Sequence, residues 1–269
     1  MSFAEANGVK VFYEFTGQGD PVVLVHGSWG DHHNWDLVVP KLAERFRVMA
    51  YDRRGHSQSE TPPGQGSLDQ DVDDLAALIE TLDLAPAHLA GNSLGSIITL
   101  RLGSRRPELF RTLAVHEPPA VPLLEGDPPI KPMVEAVQER TGSIAAQLEA
   151  GDIPGGTRRF VEEMMGASWE ALPQPAKETF LRNAPTWLDE VREGYPQGLT
   201  IDLDALSGFT KPALLTQGDQ SPPFFGPVLD KVATALPQTE RHIYVGAGHN
   251  PHMTHPDDYV RTLSGFAAA

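Results

Sequence analysis

Gly91-Asn92-Ser93-Leu94-Gly95 is the stretch of the sequence that decides the fold. The short apolar run 87–90 precedes it, and the helix-like run 96–102 follows it. This order predicts a strand, a tight turn and a helix, with Ser93 at the apex and a glycine on each side where a side chain would crowd the backbone. Such a turn exposes the serine oxygen and leaves the next backbone N–H free beside it, so we predict a nucleophile at Ser93. A turn serine that caps the helix is the alternative, because the bare pattern also occurs by chance.

Outward from this turn, short apolar runs alternate with segments of helical spacing. Strand-like runs lie at 9–15, 22–25, 46–51, 109–115, 212–216 and 240–245, and helical spacing occupies 35–45, 67–84, 227–236 and 256–266. Strands that alternate with helices imply a parallel sheet with right-handed crossovers. We therefore predict an α/β fold, with a mostly parallel central sheet flanked by helices.

The alternation stops at Glu117-Pro118-Pro119 and resumes after Leu206. Between these points proline and glycine separate short helical stretches at 131–148, 157–165 and 175–191. We predict that residues 1–117 and 207–269 form the core and that residues 118–206 form an inserted helical lid.

Composition restricts the class of protein. The 269 residues are enough for one such domain with a lid. A net charge of −15 repels phosphate backbones and anionic lipid, so nucleic acid and membrane surfaces are poor candidate partners. The absence of cysteine excludes disulfides, thiolate metal sites and a cysteine nucleophile. No signal peptide and no long apolar run are present, so we expect a cytoplasmic protein; nothing in the sequence sets an oligomeric state.

A serine hydroxyl needs a base within hydrogen-bond reach, and His249 is the predicted base. It lies in Gly246-Ala247-Gly248-His249, directly after the last predicted strand. Residues that follow parallel strands gather at one edge of the sheet, where His249 and Ser93 would meet. His252 and His255 complete an H-x-x-H-x-x-H run, but prolines interrupt the run and no carboxylate is placed as a zinc ligand, so we predict no metal.

Two acids compete to orient the base. Enzymes of this architecture often carry an aspartate in a G-x-x-D turn after the strand at 212–216, but this turn reads Gly218-Asp219-Gln220-Ser221. Asp219 follows the glycine too soon. Glu117 ends the strand that follows the nucleophile helix, and strand adjacency would put it beside Ser93, so we favour Glu117 over Asp219. A solvated acid at the start of the lid is the alternative for Glu117.

The loop after the strand at 22–25 reads His26-Gly27-Ser28-Trp29-Gly30. We predict that the backbone N–H groups of Ser28 and Leu94 form an oxyanion hole, with a plain glycine-rich turn as the alternative for this loop. Trp29 and, from the lid, Trp187 are the predicted substrate contacts, although both residues also suit a packed interior. The segment 52–59, DRRGHSQS, reads mainly as a structural turn that braces the active-site loops.

Together, the motifs HGSWG, DRRGHSQS, GNSLG and GAGHNPH resemble those of the α/β-hydrolase superfamily over nearly the whole chain. A narrower resemblance is to fungal zearalenone lactonases and related hydrolases. That family also uses a glutamate in a His-Glu-x-Pro context, written here His116-Glu117-Pro118-Pro119, and also lacks the later aspartate. Its lid carries a substrate-contacting tryptophan in a segment like Asn183-Ala184-Pro185-Thr186-Trp187, with a nearby Gly-Tyr-Pro like residues 194–196. The His-Gly-Ser loop and the interior of the GNSLG turn depart from that family, so the catalytic scheme carries over better than the substrate.

The sequence therefore predicts a serine hydrolase that cleaves a carboxylic ester or lactone through an acyl-enzyme on Ser93, without a cofactor. A zearalenone-like macrolactone is one substrate that the resemblance implies. Hydrolysis of a carbon–carbon bond and lyase chemistry are alternatives, because the same three residues serve them. A ligand-binding, non-catalytic homologue is a third reading, which a complete serine–acid–histidine set argues against.

Overall fold

The computed structural model describes residues 2–64, 66–126, 128–166, 168–194 and 197–268. Within these residues, eight strands form one sheet in the order β1-β2-β4-β3-β5-β6-β7-β8. Their bounds are β1 Ser2–Ala6, β2 Val9–Thr16, β3 Pro21–Val25, β4 Arg47–Tyr51, β5 Ala87–Asn92, β6 Phe110–His116, β7 Ala213–Gly218 and β8 Thr239–Tyr244. Only β1 with β2 and β2 with β4 pair antiparallel among these strands, so the sheet is mostly parallel.

Helices cover the sheet and fill the segment between β6 and β7. Their bounds are α1 Val39–Leu42, α2 Leu68–Thr81, α3 Leu94–Arg105, α4 Lys131–Glu149, α5 Ile153–Arg159, α6 Gln174–Arg192, α7 Leu203–Leu206, α8 Phe225–Ala235, α9 Pro251–Thr254 and α10 Pro256–Ala267. A π-helical turn, Phe160–Met164, continues α5. The predicted α/β fold is confirmed.

The sheet separates two apolar layers. Along β3, Val23 and Val25 face a cluster that contains the apolar sides of α2, α3 and α8, whereas Val22 and Leu24 face a second cluster with α10. Both faces of the central strands are thus covered, which explains why β3 reads as a uniformly apolar run rather than an alternating one.

The segment between β6 and β7 contains helices and no strand in its described residues. A third apolar cluster joins α4, α6 and Phe160 of this segment to Trp29 of the core. The assignment of residues 118–206 as a separate lid stays a prediction. No helix in the described part of the chain combines the length and the apolar character that crossing a bilayer requires.

One predicted helix is shorter than expected. The helical spacing at 35–45 corresponds to a 3-10 turn, His32–Trp35, followed by the single-turn helix α1. Asp31 caps the first turn in a capping box with Asn34, so helical structure begins before Trp35. Pro40 has no N–H to donate to residue 36, and a continuous helix through this region is therefore lost.

Candidate active site

Ser93 lies at the sharp turn between β5 and α3. Its backbone is left-handed, with φ 55° and ψ −122°, a conformation that a serine adopts only where the surrounding structure imposes it. Side chains at the flanking glycines are excluded by backbone, because a Cβ at Gly91 would collide with the Gly95 carbonyl and a Cβ at Gly95 with the Val25 carbonyl. The turn thus requires both glycines and leaves Ser93 partly exposed above the end of β5.

Glu117 lies beside this turn because β5 and β6 are neighbours. Asn92 pairs with His116 in the parallel register, and the Ser93 N–H donates to the His116 carbonyl at 2.9 Å. Ser93 and Glu117 therefore leave the sheet side by side. Glu117 also has a left-handed backbone, φ 49°, and its side chain has no exposed surface.

His249 reaches Glu117 from the loop after β8. Its Nδ1 lies 2.6 Å from Glu117 Oε2, and the other oxygen of Glu117 accepts from the Gly218 N–H at 2.7 Å. The Asn92 side chain donates to the His249 carbonyl at 3.1 Å, and Phe225 stacks on the imidazole at 5.1 Å. The loop that carries His249 is therefore tied to the residue that precedes Ser93.

The structure brings the base and the favoured acid together at the edge that carries Ser93. No hydrogen bond joins Ser93 Oγ to His249 in the described structure, and such bonds often tighten only when substrate binds. With Glu117 on Nδ1, the Nε2 atom of His249 is free of that contact and is the nitrogen available to the serine.

Glu117 is ionised despite its burial. Burial alone would raise the pKa of Glu117, but the polar groups around the carboxylate, above all the hydrogen bond with His249, outweigh burial and hold the pKa below its ordinary value. His116 Nε2 lies 3.6 Å from Glu117 Oε2. Burial lowers the pKa of His116 to about 4, so this ring is neutral at pH 7 and does not offset the negative charge of Glu117.

Asp219, the competing acid, points elsewhere. It is exposed, and its Oδ1 accepts from the Gly246 N–H at 2.8 Å and from Gln220 at 3.0 Å. These bonds hold the turn after β7 to the end of β8. Ser221, at the position where an aspartate was expected, lies close enough to Glu117 to help lower its pKa.

The predicted oxyanion donors belong to two segments that meet at Ser93. Leu94 is the first residue of α3, so its N–H has no partner within the helix. A Cβ at Gly27 would lie 2.9 Å from Ser93 Cβ and 3.5 Å from Ser93 Oγ, which shows how closely the His26-Gly27-Ser28 loop approaches the serine. Neither the Ser28 nor the Leu94 amide donates a hydrogen bond to another described residue, so both remain available to a ligand.

The DRRGHSQS segment braces these loops. Asp52 is fully buried and accepts from His32 Nδ1 at 2.6 Å and from the Gln58 N–H at 3.0 Å. The Arg53 N–H donates to His26 Nε2 at 3.0 Å, and its guanidinium donates to the Gly27 carbonyl at 3.2 Å. Direct contacts of this segment with the loop that carries Ser28 fit the structural role inferred from the sequence.

Trp29 and Trp187 lie together in the cluster between α6 and the core. Trp29 is fully buried and stacks on Phe160 at 4.4 Å, while Trp187 is 3% exposed and lies 5.5 Å from Trp29. Asn183, which is also fully buried, donates to the carbonyls of Trp29 and Gly30. In this conformation both tryptophans join the lid segment to the core, and their contact with substrate stays a prediction. Of the Gly-Tyr-Pro segment, Tyr195 and Pro196 lie outside the described residues.

Two groups of side chains have the composition of metal ligands, namely His116 with Glu117 and His249, and Asp31 with His32 and Asp52. In the first group His249 and Glu117 bind each other, and in the second Asp52 is satisfied by His32. His249, His252 and His255 do not converge as a ligand set among the described residues. His252 instead packs in the interior against Trp35, with ring centroids 4.6 Å apart.

Similar proteins share this architecture, but their names describe several different activities. The chain is 28% identical over 276 residues to a 2-hydroxymuconate semialdehyde hydrolase from Pseudomonas sp. (strain CF600), covering 98% of this chain and 92% of that protein. It is 27% identical over 270 residues to a zearalenone hydrolase from Bionectria ochroleuca, covering 95% and 92%. A shorter match, 39% identical over 105 residues, covers 39% of this chain but only 28% of a dihydrolipoyllysine-residue acetyltransferase component of the acetoin cleaving system from Pseudomonas putida.

Among solved structures, an epoxide hydrolase from Bacillus megaterium superimposes with a TM-score of 0.84 at 20% identity, and the match covers all of both chains. A family model described as the alpha/beta hydrolase fold matches residues 20–256. This range extends from the start of β3 to the start of α10 and includes Ser93, Glu117 and His249. The chain therefore belongs to the α/β-hydrolase family.

Proposed function

We propose that the protein is a serine hydrolase that cleaves a carboxylic ester or lactone through an acyl-enzyme on Ser93. The observation that carries the proposal is the 2.6 Å contact between His249 Nδ1 and the buried Glu117 carboxylate, at the sheet edge where the strained Ser93 turn lies. A base oriented by a buried acid beside an exposed serine is the arrangement that activates a hydroxyl for acyl transfer.

In the proposed reaction, Ser93 Oγ attacks the substrate carbonyl carbon while His249 Nε2 takes its proton. Glu117 holds the ring and stabilises the imidazolium. The negative charge that develops on the carbonyl oxygen is bound by the Ser28 and Leu94 amides. His249 then protonates the leaving alcohol, which in a lactone stays attached to the acyl chain. Water, activated by the same base, releases the acid and restores Ser93.

The proposed substrate is a medium-sized, apolar ester or macrolactone, and the proposed reaction needs no cofactor. The relative named zearalenone hydrolase supports a macrolactone. The aromatic cluster of Trp29, Phe160 and Trp187 is the proposed apolar contact for such a ring, and its members pack against one another in this conformation. We also propose that the enzyme acts in the cytoplasm on a free small molecule, without nucleic acid or membrane as a partner.

Replacing the nucleophile tests the proposal. We expect Ser93→Ala to lower kcat on p-nitrophenyl esters or on an active lactone, with zearalenone in the panel, by at least about 10⁴-fold while substrate binding persists. A fluorophosphonate should label the native protein at Ser93 and leave Ser93→Ala unlabelled. Undiminished ester turnover by Ser93→Ala would end the proposal, and no turnover across the panel would favour a ligand-binding, non-catalytic homologue.

Hydrolysis of a carbon–carbon bond is the second candidate. It is favoured by the relative named 2-hydroxymuconate semialdehyde hydrolase, a C–C hydrolase that matches nearly the whole chain. The two candidates separate when 2-hydroxymuconate semialdehyde and the ester panel are assayed with the same preparation. Trapping of an acyl group on Ser93 from an aryl ester, with no turnover of the semialdehyde, would support ester or lactone hydrolysis.

A further inference from the structure

Glu190, on α6, enters the core beside the loop that carries Ser28. Its Oε2 accepts a hydrogen bond from Ser28 Oγ at 2.6 Å, and its Oε1 accepts from the Arg53 guanidinium at 3.0 Å. The carboxylate is 11% exposed. Both of its oxygens are thus engaged by residues of the core, although Glu190 itself belongs to the segment inserted between β6 and β7.

Arg53 links Glu190 to the rest of the same loop. Its guanidinium is 2% exposed, forms two hydrogen bonds with Asp71 at 3.1 Å each, and donates to the Gly27 carbonyl at 3.2 Å. Its backbone N–H donates to His26 Nε2. Arg53 therefore holds this loop at His26 and Gly27, and Glu190 holds it at Ser28.

The buried charges of Arg53, Asp71 and Glu190 are not explained by a gain in stability. One arginine pairs with two carboxylates, Asp71 and Glu190, and the second oxygen of Glu190 accepts from a neutral donor, the Ser28 hydroxyl. Burial raises the pKa of Glu190, and Arg53 and Ser28 offset only part of that rise. Since a buried ion pair of this kind contributes little net stability, its geometric effect on the loop is the more informative property.

We propose that Glu190 is a positioning residue that fixes the Ser28 amide as an oxyanion donor. The inference rests on the proposed function. Ser28 carries both the hydroxyl that Glu190 holds and the N–H that faces the reacting carbonyl oxygen, so a carboxylate on α6 sets the direction of an amide beside Ser93. In this arrangement the Ser28 amide is positioned only when α6 is packed on the core, because α6 carries Glu190.

Such a role predicts a particular kinetic signature. The oxyanion exists only in the transition state, so a misplaced Ser28 amide lowers kcat and leaves KM nearly unchanged. We expect Glu190→Ala to lower kcat by about 10- to 100-fold, somewhat less than outright loss of an oxyanion donor. In Glu190→Gln the carboxamide can turn its oxygen to the Arg53 guanidinium and its NH2 group to the Ser28 hydroxyl, which accepts as well as donates, so this variant should keep more kcat than Glu190→Ala.

Two further variants separate this role from general damage. Ser28→Ala removes the hydroxyl and keeps the backbone amide, and we expect its loss of kcat to match that of Glu190→Ala. The double variant should be no worse than either single one, because both changes break the same contact. Asp189→Ala is the matched control: Asp189 is the preceding residue of α6 and its carboxylate accepts from the Gly66 N–H at 3.2 Å, away from the Ser28 loop. It should keep kcat within about twofold.

A cleft beside Glu190 allows chemical rescue. A space of about 320 Å³ lies between α6 and the loop after β4, and Arg53, Asp71, Asp189 and Glu190 are among its lining residues. Formate can enter a space of this size and bind Arg53 where the Glu190 carboxylate stood. We expect formate at tens of millimolar to restore most of the kcat of Glu190→Ala and to leave Asp189→Ala and the native enzyme unaffected.

The outcomes distinguish the two proposals. Full activity of Ser93→Ala would remove the acyl-enzyme mechanism itself. An inactive Ser93→Ala, together with native kcat in Glu190→Ala or Ser28→Ala, would overturn only the positioning role. A loss of kcat in Glu190→Ala that formate does not restore and Ser28→Ala does not reproduce would be general damage and would also overturn it. If Glu190→Ala does not fold, Ser28→Ala decides the question, because it breaks the same contact from the other side.

Discussion

At Glu117 the chain holds a carboxylate with no exposed surface between two imidazole rings. The Gly218 N–H and His249 occupy one oxygen each, so the buried charge is paired on both sides. Its left-handed backbone, like that of Ser93, is a cost that the neighbouring strands impose. Six non-glycine residues of the described chain have a positive φ, namely Asn7, Trp29, Ser57, Asp83, Ser93 and Glu117, and the proposed nucleophile and its acid are two of these six.

Glu117→Gln against Asp219→Asn tests which acid orients His249. We expect Glu117→Gln to lower kcat about 10³- to 10⁴-fold, because an amide neither fixes the tautomer nor stabilises the imidazolium. Asp219→Asn should change kcat less than about fivefold, since among the described residues the Asp219 carboxylate accepts only from the Gly246 N–H and the Gln220 side chain. Steady-state kinetics on an active ester decides the matter, with circular dichroism to show that both variants fold. An inactive Asp219→Asn beside an active Glu117→Gln would reverse the assignment.

The proposed site depends on the close packing of α3 against the end of β3. The first turn of α3 lies so close to the end of β3 that the backbone carbonyls of Val25 and His26 occupy the position of a side chain at Gly95. The helix cannot move away without displacing Ser93 and Leu94. The geometry of the proposed site therefore depends directly on how α3 packs against β3.

Gly95→Ala should destabilise the protein by at least about 3 kcal/mol or prevent folding, because the added methyl meets backbone rather than a movable side chain. Gly142→Ala, in the middle of α4, is the comparison: no atom lies within 4 Å of the added methyl, and helix propensity should raise stability by up to about 1 kcal/mol. Thermal melts of the two variants measure the difference. Equal melting temperatures would contradict the proposed close approach.

Asn183, another fully buried residue of α6, joins the segment between β6 and β7 to the core. Its amide group donates to two core carbonyls, those of Trp29 and Gly30, and its oxygen accepts from the Ser57 N–H at 2.9 Å. We expect Asn183→Ala to leave these core groups unpaired, to cost about 1–3 kcal/mol, and to speed proteolytic cleavage between β6 and β7. Glu178→Ala, on the exposed side of the same helix, should be cleaved like the native protein. Identical cleavage rates for all three would exclude the docking role.

Elements with a strong apolar period were predicted well from the sequence, and elements set by polar contacts were not. The buried strands and the amphipathic α2 carry their pattern in consecutive residues. The 35–45 segment carries helical spacing too, but the Asp31 cap and Pro40 divide it. The spacing of apolar residues does not show where a cap starts a helix early or where a proline interrupts it.

Across the whole molecule, the meeting of Ser93, Glu117 and His249 could be predicted because each follows a strand of one parallel sheet, and the ends of such strands lie together. Glu190 could not be predicted in the same way. Its partners Ser28 and Arg53 are 162 and 137 residues away along the chain, and its own helix reads as an ordinary charged surface. Contacts between an inserted segment and its core leave no periodic pattern in the sequence, so sequence patterns do not predict them.

Buried histidines in several parts of the molecule make its folding stability depend on pH. Burial lowers the pKa values of five histidines, His26, His56, His88, His116 and His252, so each is neutral in the native state at pH 7. The unfolded chain binds a proton at each of them below its ordinary pKa of 6.5, and the native chain does not. Protons taken up on unfolding make stability fall as pH decreases, for His116 between pH 6.5 and about 4.

His252→Phe tests this account with little change in packing. Neither ring nitrogen of His252 has a hydrogen-bond partner among the described residues, and its ring packs on Trp35, so phenylalanine loses no polar contact. We expect the urea midpoint of the variant to fall less steeply between pH 6.5 and 4.5, with a slope in stability smaller by up to about 1.4 kcal/mol per pH unit. A His252→Phe variant as acid-sensitive as the native protein would show that this buried ring takes up no proton on unfolding.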